Sequence, residues 1–134
     1  MMSGLTLRLA PFERILINGA VVQNGHKPTK FQIETPGANI LRLKDAIHPN
    51  CVKTPIELLV HLCQMILSGD IDHDTGLKEI RAQIDRTNEA ISSQHFSQML
   101  ELSLDNLSEG NTYAAMKIFR SLLPLEAALL ELRL

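Results

Sequence analysis

The chain has 134 residues, a length that fits one domain, or two small subdomains sharing a core, and excludes a multidomain enzyme. An apolar share of 45%, a charged share of 21% and a mean hydropathy of +0.03 exclude a disordered or collagen-like polymer. The net charge of −2 gives no chain-wide attraction to nucleic acid, and with 4% aromatics and no Trp the core must be aliphatic.

From Leu5 to about Leu43 the pattern is that of short strands separated by turn signals. Leu5, Leu7 and Leu9 alternate with Thr6 and Arg8 until Ala10-Pro11 stops the run. Arg14-Ile15-Leu16-Ile17 and Ala20-Val21-Val22-Gln23 then flank Asn18-Gly19, the dipeptide that best accepts the positive φ angles of a two-residue hairpin turn. Asn24-Gly25 marks a further turn, Thr29 to Glu34 reads as a strand, Pro36-Gly37 breaks it, and Asn39 to Leu43 reads as the last strand. Four or five antiparallel strands are expected.

From Thr54 the spacing becomes helical. Thr54-Pro55-Ile56-Glu57 supplies an N-cap, proline at the first helical position and a glutamate three residues after the cap. The run to Leu67 is apolar almost all round and ends at Gly69, so this helix is expected to lie centrally or at an interface. Leu77, Ile80, Ile84 and Ile91 mark a second helix; Phe96, Met99, Leu100, Leu102 and Leu107 mark a third. A fourth begins near Asn111 with Ala115, Ile118, Phe119 and Leu122 on one face, and Pro124 should kink or break it before a short Leu-rich end. The expected class is α+β: a small antiparallel β unit over residues 1–50, then a bundle of about four helices over 51–134.

Charge divides along the same line. Residues 1–53 carry seven basic groups against three acidic ones, a balance of +4, while residues 54–134 stand at −6. This points to a polyanion or an acidic partner for the β-rich end. No run of about 18 uncharged apolar residues exists to span a membrane. The opening MMSGLTLRLAPFERILI lacks a basic segment ahead of its apolar part, which reads as a cytoplasmic protein without a signal peptide. Cys51 and Cys63 fit reduced thiols in that compartment, Cys63 as a small buried hydrophobe.

Candidate catalytic and metal sites fail on their chemistry. Asp70-Ile71-Asp72-His73-Asp74 imitates the start of a calcium loop, but Thr75 and Arg81 stand where glycine and a bidentate glutamate are needed. An acidic helix N-terminus is the better reading. His48, Cys51, His61 and Cys63 lack the spacing of a zinc site, and neither GxGxxG nor GxxxxGK[ST] occurs. No catalytic residue, metal or cofactor is expected, so the chain reads as a binding protein rather than an enzyme.

The order of Leu7-Arg8-Leu9-Ala10-Pro11-Phe12-Glu13-Arg14, Ile17-Asn18-Gly19-Ala20-Val21-Val22-Gln23-Asn24-Gly25, Ile40-Leu41-Arg42-Leu43-Lys44-Asp45-Ala46-Ile47 and Thr54-Pro55 resembles the bacterial flagellum biosynthesis repressor family FlbT. The similarity runs over most of the chain and continues weakly through Tyr113-Ala114-Ala115-Met116-Lys117. It implies a post-transcriptional regulator that binds the 5′ untranslated region of flagellin messenger RNA and promotes its degradation or blocks its translation. It also implies a protein partner, the second flagellin regulator FlaF.

Beside that resemblance, Arg14, Lys27, Lys30, Arg42 and Lys44, with Arg8 in support, are expected to carry the phosphate contacts. Arg42 and Lys44 are expected to alternate along the last strand and share a face. Only Phe12, Phe31 and the arginines are available for stacking, so phosphate and shape recognition should dominate over base reading. The alternative is a protein-interaction adaptor in flagellar assembly, forming a homodimer or hetero-complex through the helical half. The apolar helix 54–67 and the leucines Leu125, Leu129, Leu130 and Leu132 would carry it.

Overall fold

The computed structural model describes residues 5–35 and 38–131. Asn18 and Gly19 take φ angles of 49° and 83°, the left-handed pair that a tight hairpin requires. Strands β2 (Arg14–Ile17) and β3 (Ala20–Gln23) therefore pair antiparallel, with Ile17 opposite Ala20. On its other edge β2 pairs with β5 (Ile40–Arg42), giving a three-stranded sheet in the order β3-β2-β5. Strands β1 (Leu5–Leu9) and β4 (Thr29–Ile33) form a separate antiparallel ribbon. The predicted break at Pro36-Gly37 lies outside the described residues.

Alternation along these strands sets the layer order. Leu7 and Leu9 of the ribbon meet Ile15 and Ile40 of the three-stranded sheet in one small core, with Ile17, Phe31 and Ile33 packed around it. The neighbouring residues Leu16 and Leu41 point the other way, into the helical core. The molecule is thus built as ribbon, sheet and helices, with β2 and β5 covered on both faces.

The helices follow the sequence signals closely. Helix α1 (Pro55–Ser68) carries a full capping box and ends at Gly69, whose φ of 87° suits the residue that closes a helix. Its buried residues are Ile56, Leu59, Val60, Cys63, Ile66 and Leu67, and the helix packs against α2 (His73–Ala90), α4 (Thr112–Ser121), α5 (Leu123–Glu131) and β5. Helix α3 (Gln94–Ser108) packs on α4 and α2. The apolar girdle of α1 is thereby explained by a central position. Pro124 falls in the first turn of α5, directly after the end of α4, so the break occurs where proline demands it.

The first turn of α1 is completed from the far end of the chain. Thr54 Oγ1 accepts from Glu57 N–H, and Glu57 Oε1 accepts from the N–H groups of Thr54 and Lys53. Glu126 of α5, only 2% exposed, accepts from the Thr54 hydroxyl at 2.5 Å and from Ile56 N–H at 2.8 Å. With proline at the first helical position, the N–H groups of Ile56 and Glu57 that open the helix both find an acceptor.

Three expectations are corrected. The last strand stops at Arg42 because its partner β2 pairs no further than Ile15; Leu43–Asp45 then forms a 3-10 turn, and Lys44 is off the strand. Leu102 is 46% exposed, while Ser103 is buried in its place and donates its hydroxyl proton to the Met99 carbonyl at 3.0 Å. Ile118 is only half-buried, and Met116 takes the core position instead. Leu132 lies outside the described residues.

Candidate nucleic-acid interface

All six basic residues singled out from the sequence lie toward one end of the β layers. The chain passes this end at the β1–β2 turn, the β3–β4 connection and the exit from β5. Asn24 ties the first two together: its Nδ2 donates to the carbonyls of Ala10 and Lys27, both at 2.9 Å, and its backbone N–H donates to Glu13 O at 2.9 Å. Residues 8–14, 23–30 and 42–45, which make up this pole, hold six basic and two acidic side chains.

Within the pole the six residues divide into three settings. Arg8 and Lys30 are directly opposite one another across the β1–β4 ribbon, on the face turned away from the core. Both are exposed, and among the described residues no carboxylate lies within 4 Å of either. Like charges placed opposite each other on a strand pair are unfavourable in isolation, so this pair is a place where an anion would be stabilising. Lys27 is exposed in the connection leading to β4. Arg14 is exposed at the start of β2 and belongs to the sheet face that carries Leu16 rather than to the outer ribbon face.

Arg42 is engaged differently. Its Nε donates to Glu13 Oε2 at 2.8 Å and its Nη2 to Glu13 Oε1 at 2.9 Å, a two-pronged ion pair, while Nη2 also reaches the Arg8 carbonyl at 2.5 Å. Glu13 is 7% exposed and accepts in addition from Ala10 N–H at 2.9 Å. The clamp joins the end of β1, the start of β2 and the end of β5, so it fastens the ribbon to the sheet. The Arg42 guanidinium, helped by Ala10 N–H and by Lys44 with its Nζ 4.0 Å from Glu13, holds the Glu13 carboxyl down at about 2 against the opposing effect of burial. Lys44 is otherwise open to water.

The aromatics separate cleanly. Phe31 is turned into the core between ribbon and sheet, and Phe96 and Phe119 are fully buried among the helices. Phe12 is 62% exposed at the β1–β2 turn with a backbone φ of 61°. Sequence reading missed the role of Glu13 and the knot at Asn24. Each has one distant partner, Arg42 for Glu13 and Ala10 for Asn24, which no local pattern encodes.

The calcium-like acidic run leads into the start of α2. Asp72 caps α2, accepting from Thr75 N–H at 2.8 Å and from the Thr75 hydroxyl at 3.0 Å, and these bonds hold its carboxyl below the usual range. Cys63 is buried in the helical core, and that burial pushes its thiol far up, whereas Cys51 is exposed. Among the described residues no helix is long and apolar enough to cross a membrane.

Fold and surface define a small α+β protein whose β layers present a basic, strand-end pole and whose helices carry the acidic balance. The flagellar protein FlbT family model matches residues 5–130, and the chain belongs to that family. It is 35% identical over 131 residues to the probable flagellum biosynthesis repressor protein FlbT of Rhodopseudomonas palustris strain TIE-1, covering 95% of this chain and 98% of the relative. A Bradyrhizobium diazoefficiens protein named probable flagellum biosynthesis repressor protein FlbT 1 is 28% identical over 128 residues, covering 93% and 84%. The flagellum biosynthesis repressor protein FlbT of Caulobacter vibrioides is 30% identical over 80 residues, covering 60% of this chain and 56% of the relative. No solved structure matches the chain.

Proposed function

We propose that this chain is a cytoplasmic, non-catalytic regulator of flagellum biosynthesis that binds the 5′ untranslated region of flagellin messenger RNA and lowers its stability or translation. The names of its relatives support a repressor of flagellar synthesis. The observation that carries the RNA reading is the exposed Arg8–Lys30 pair, two cations held opposite each other at a basic pole with no carboxylate within 4 Å among the described residues. Lys27 and Arg14 extend that charge around the pole, and Lys44 adds to it. Arg42 contributes by fixing the clamp, its own charge being matched by Glu13.

The test is binding of a flagellin leader by the Arg8→Ala/Lys30→Ala double variant across a salt series. Both residues are exposed, so the variant should fold as the parent does. Loss of two phosphate contacts weakens binding and makes the slope of log affinity against log salt shallower by about 0.7 to 0.9 per contact. Unchanged affinity with an unchanged slope would remove this surface from the reading.

A second reading, an adaptor acting through the helical half, is favoured by one feature of α5. Its buried residue is Glu126, while Leu125 is exposed and Leu129 and Leu130 are half-buried. A helix that hides its acid while Leu125 stays exposed suits contact with a second copy or with a protein such as FlaF. Light scattering of the purified chain, alone and with FlaF, distinguishes these from a monomer.

A further inference from the structure

The β1–β2 turn holds an aromatic side chain, Phe12, that packs into neither core. Its backbone φ of 61° is in the left-handed region, where a bulky side chain is disfavoured and glycine or asparagine would be at ease. Yet the turn is held firmly on all sides. Phe12 N–H donates to Gly25 O at 2.9 Å, Gln23 Nε2 donates to Phe12 O at 3.3 Å, and Glu13 N–H donates to Ala10 O at 3.1 Å. The Glu13–Arg42 clamp anchors the next residue. An exposed aromatic ring is thus fixed on a strained, well-braced turn, and strain of this kind persists where the surroundings over-determine it.

We propose that Phe12 is a base-stacking residue, so that the nucleic acid taken by this pole is single-stranded, with one unstacked base laid on the ring. This rests on the RNA reading given above. Asn24 links the Phe12 turn to the Lys27 loop, so phosphates on either side of a base seated on Phe12 would meet the basic residues of the same pole. Every base offers a π face, so a single ring selects for strand state more than for sequence. An apolar protein contact would use an exposed Phe equally well, but the exposed Arg8, Lys27 and Lys30 of the same pole favour a polyanion.

The experiment compares Phe12→Gly, Phe12→Tyr and the Arg8→Ala/Lys30→Ala variant. The probes are a single-stranded flagellin-leader oligonucleotide containing the fluorescent base aminopurine and the same sequence as a duplex. Because glycine accepts the positive φ, Phe12→Gly should unfold at a temperature no lower than the parent. It should lose roughly 10- to 100-fold in single-strand affinity, the size expected for one base–aromatic stack. Its salt slope should stay unchanged, since no ion pair is lost, and so should its duplex affinity. Phe12→Tyr should retain binding and the quenching of aminopurine. Undiminished single-strand binding by Phe12→Gly, while Arg8→Ala/Lys30→Ala binds poorly, overturns the stacking role and leaves the RNA reading standing. If the parent itself fails to bind the oligonucleotide, both fall. A lowered unfolding temperature in Phe12→Gly would make Phe12 a packing residue, and altered self-association in light scattering would make it a protein contact; either result overturns the proposal.

Discussion

The substitution Glu13→Gln keeps the shape of the clamp and removes its charge. The new side-chain amide can still accept from Ala10 N–H through its oxygen, but Arg42 loses the anion that takes its Nε and Nη2. The wild-type carboxyl lies at about 2 instead of its ordinary 4.5, a displacement equivalent to at most about 3 kcal/mol. The pair reaches water on the side of Lys44, and screening reduces the net contribution to about 1 to 2 kcal/mol. For a chain of this length that is a fall of roughly 3 to 8 °C in unfolding temperature. The sign with pH follows from the lowered value. The contribution is fully present above about pH 4.5 and is lost as the pH falls toward 2, where the folded carboxyl takes up its proton. Urea unfolding of both proteins at several pH values measures the gap directly. It should be widest near neutral pH and close on acidification. A glutamine variant as stable as the parent near neutral pH, or a gap that stays constant down to the lowest pH at which both still fold, would refute the clamp as an electrostatic device.

Glu126→Ala leaves the Ile56 N–H buried without an acceptor and takes the partner from the Thr54 hydroxyl, which should cost about 2 to 3 kcal/mol in thermal or urea unfolding. It should also speed amide hydrogen exchange at Ile56. A methyl group at Gly76 would sit 2.5 Å from Cγ1 and Cδ1 of Ile66, so Gly76→Ala should destabilise by about 1 to 2 kcal/mol in chemical unfolding despite its better helix propensity. In the native protein a maleimide should label Cys51 and spare Cys63, with the second adduct appearing in mass spectra only after denaturant is added.

What the sequence disclosed and what it concealed differ mainly in range along the chain. The Asn18-Gly19 hairpin, the Thr54 cap with Glu57 and the closing Gly69 are each written within about four residues, and each occurs where it was read. The basic surface was legible only as composition. That Arg8 faces Lys30 depends on the register of two strands separated by the whole β2–β3 hairpin. That Arg42 serves Glu13 depends on β5 returning beside β2 across 29 positions. Glu126 has no local signal for its role because its partners at the start of α1 are 70 and 72 residues away. Gly76 gave no sign of its function either, since the need for a bare Cα arises from the approach of Ile66 on another helix.

The two adjacent residues Ile40 and Leu41 have a bearing on how this protein is made. Ile40 completes the core under the ribbon and Leu41 completes the core of the helices, so the short strand β5 is held by whatever has been built on either side. On the ribosome the ribbon and the hairpin can come together early, because every residue they need has already been synthesised. Leu16 and Leu41 nonetheless have nothing to cover them until α1 and its neighbours have emerged. For that interval the nascent β layers present an apolar face to water, with β3 at the sheet edge beside it. Completion of the helices is thus the event that covers this apolar face, and synthesis halted before α1 would yield a sheet without a floor.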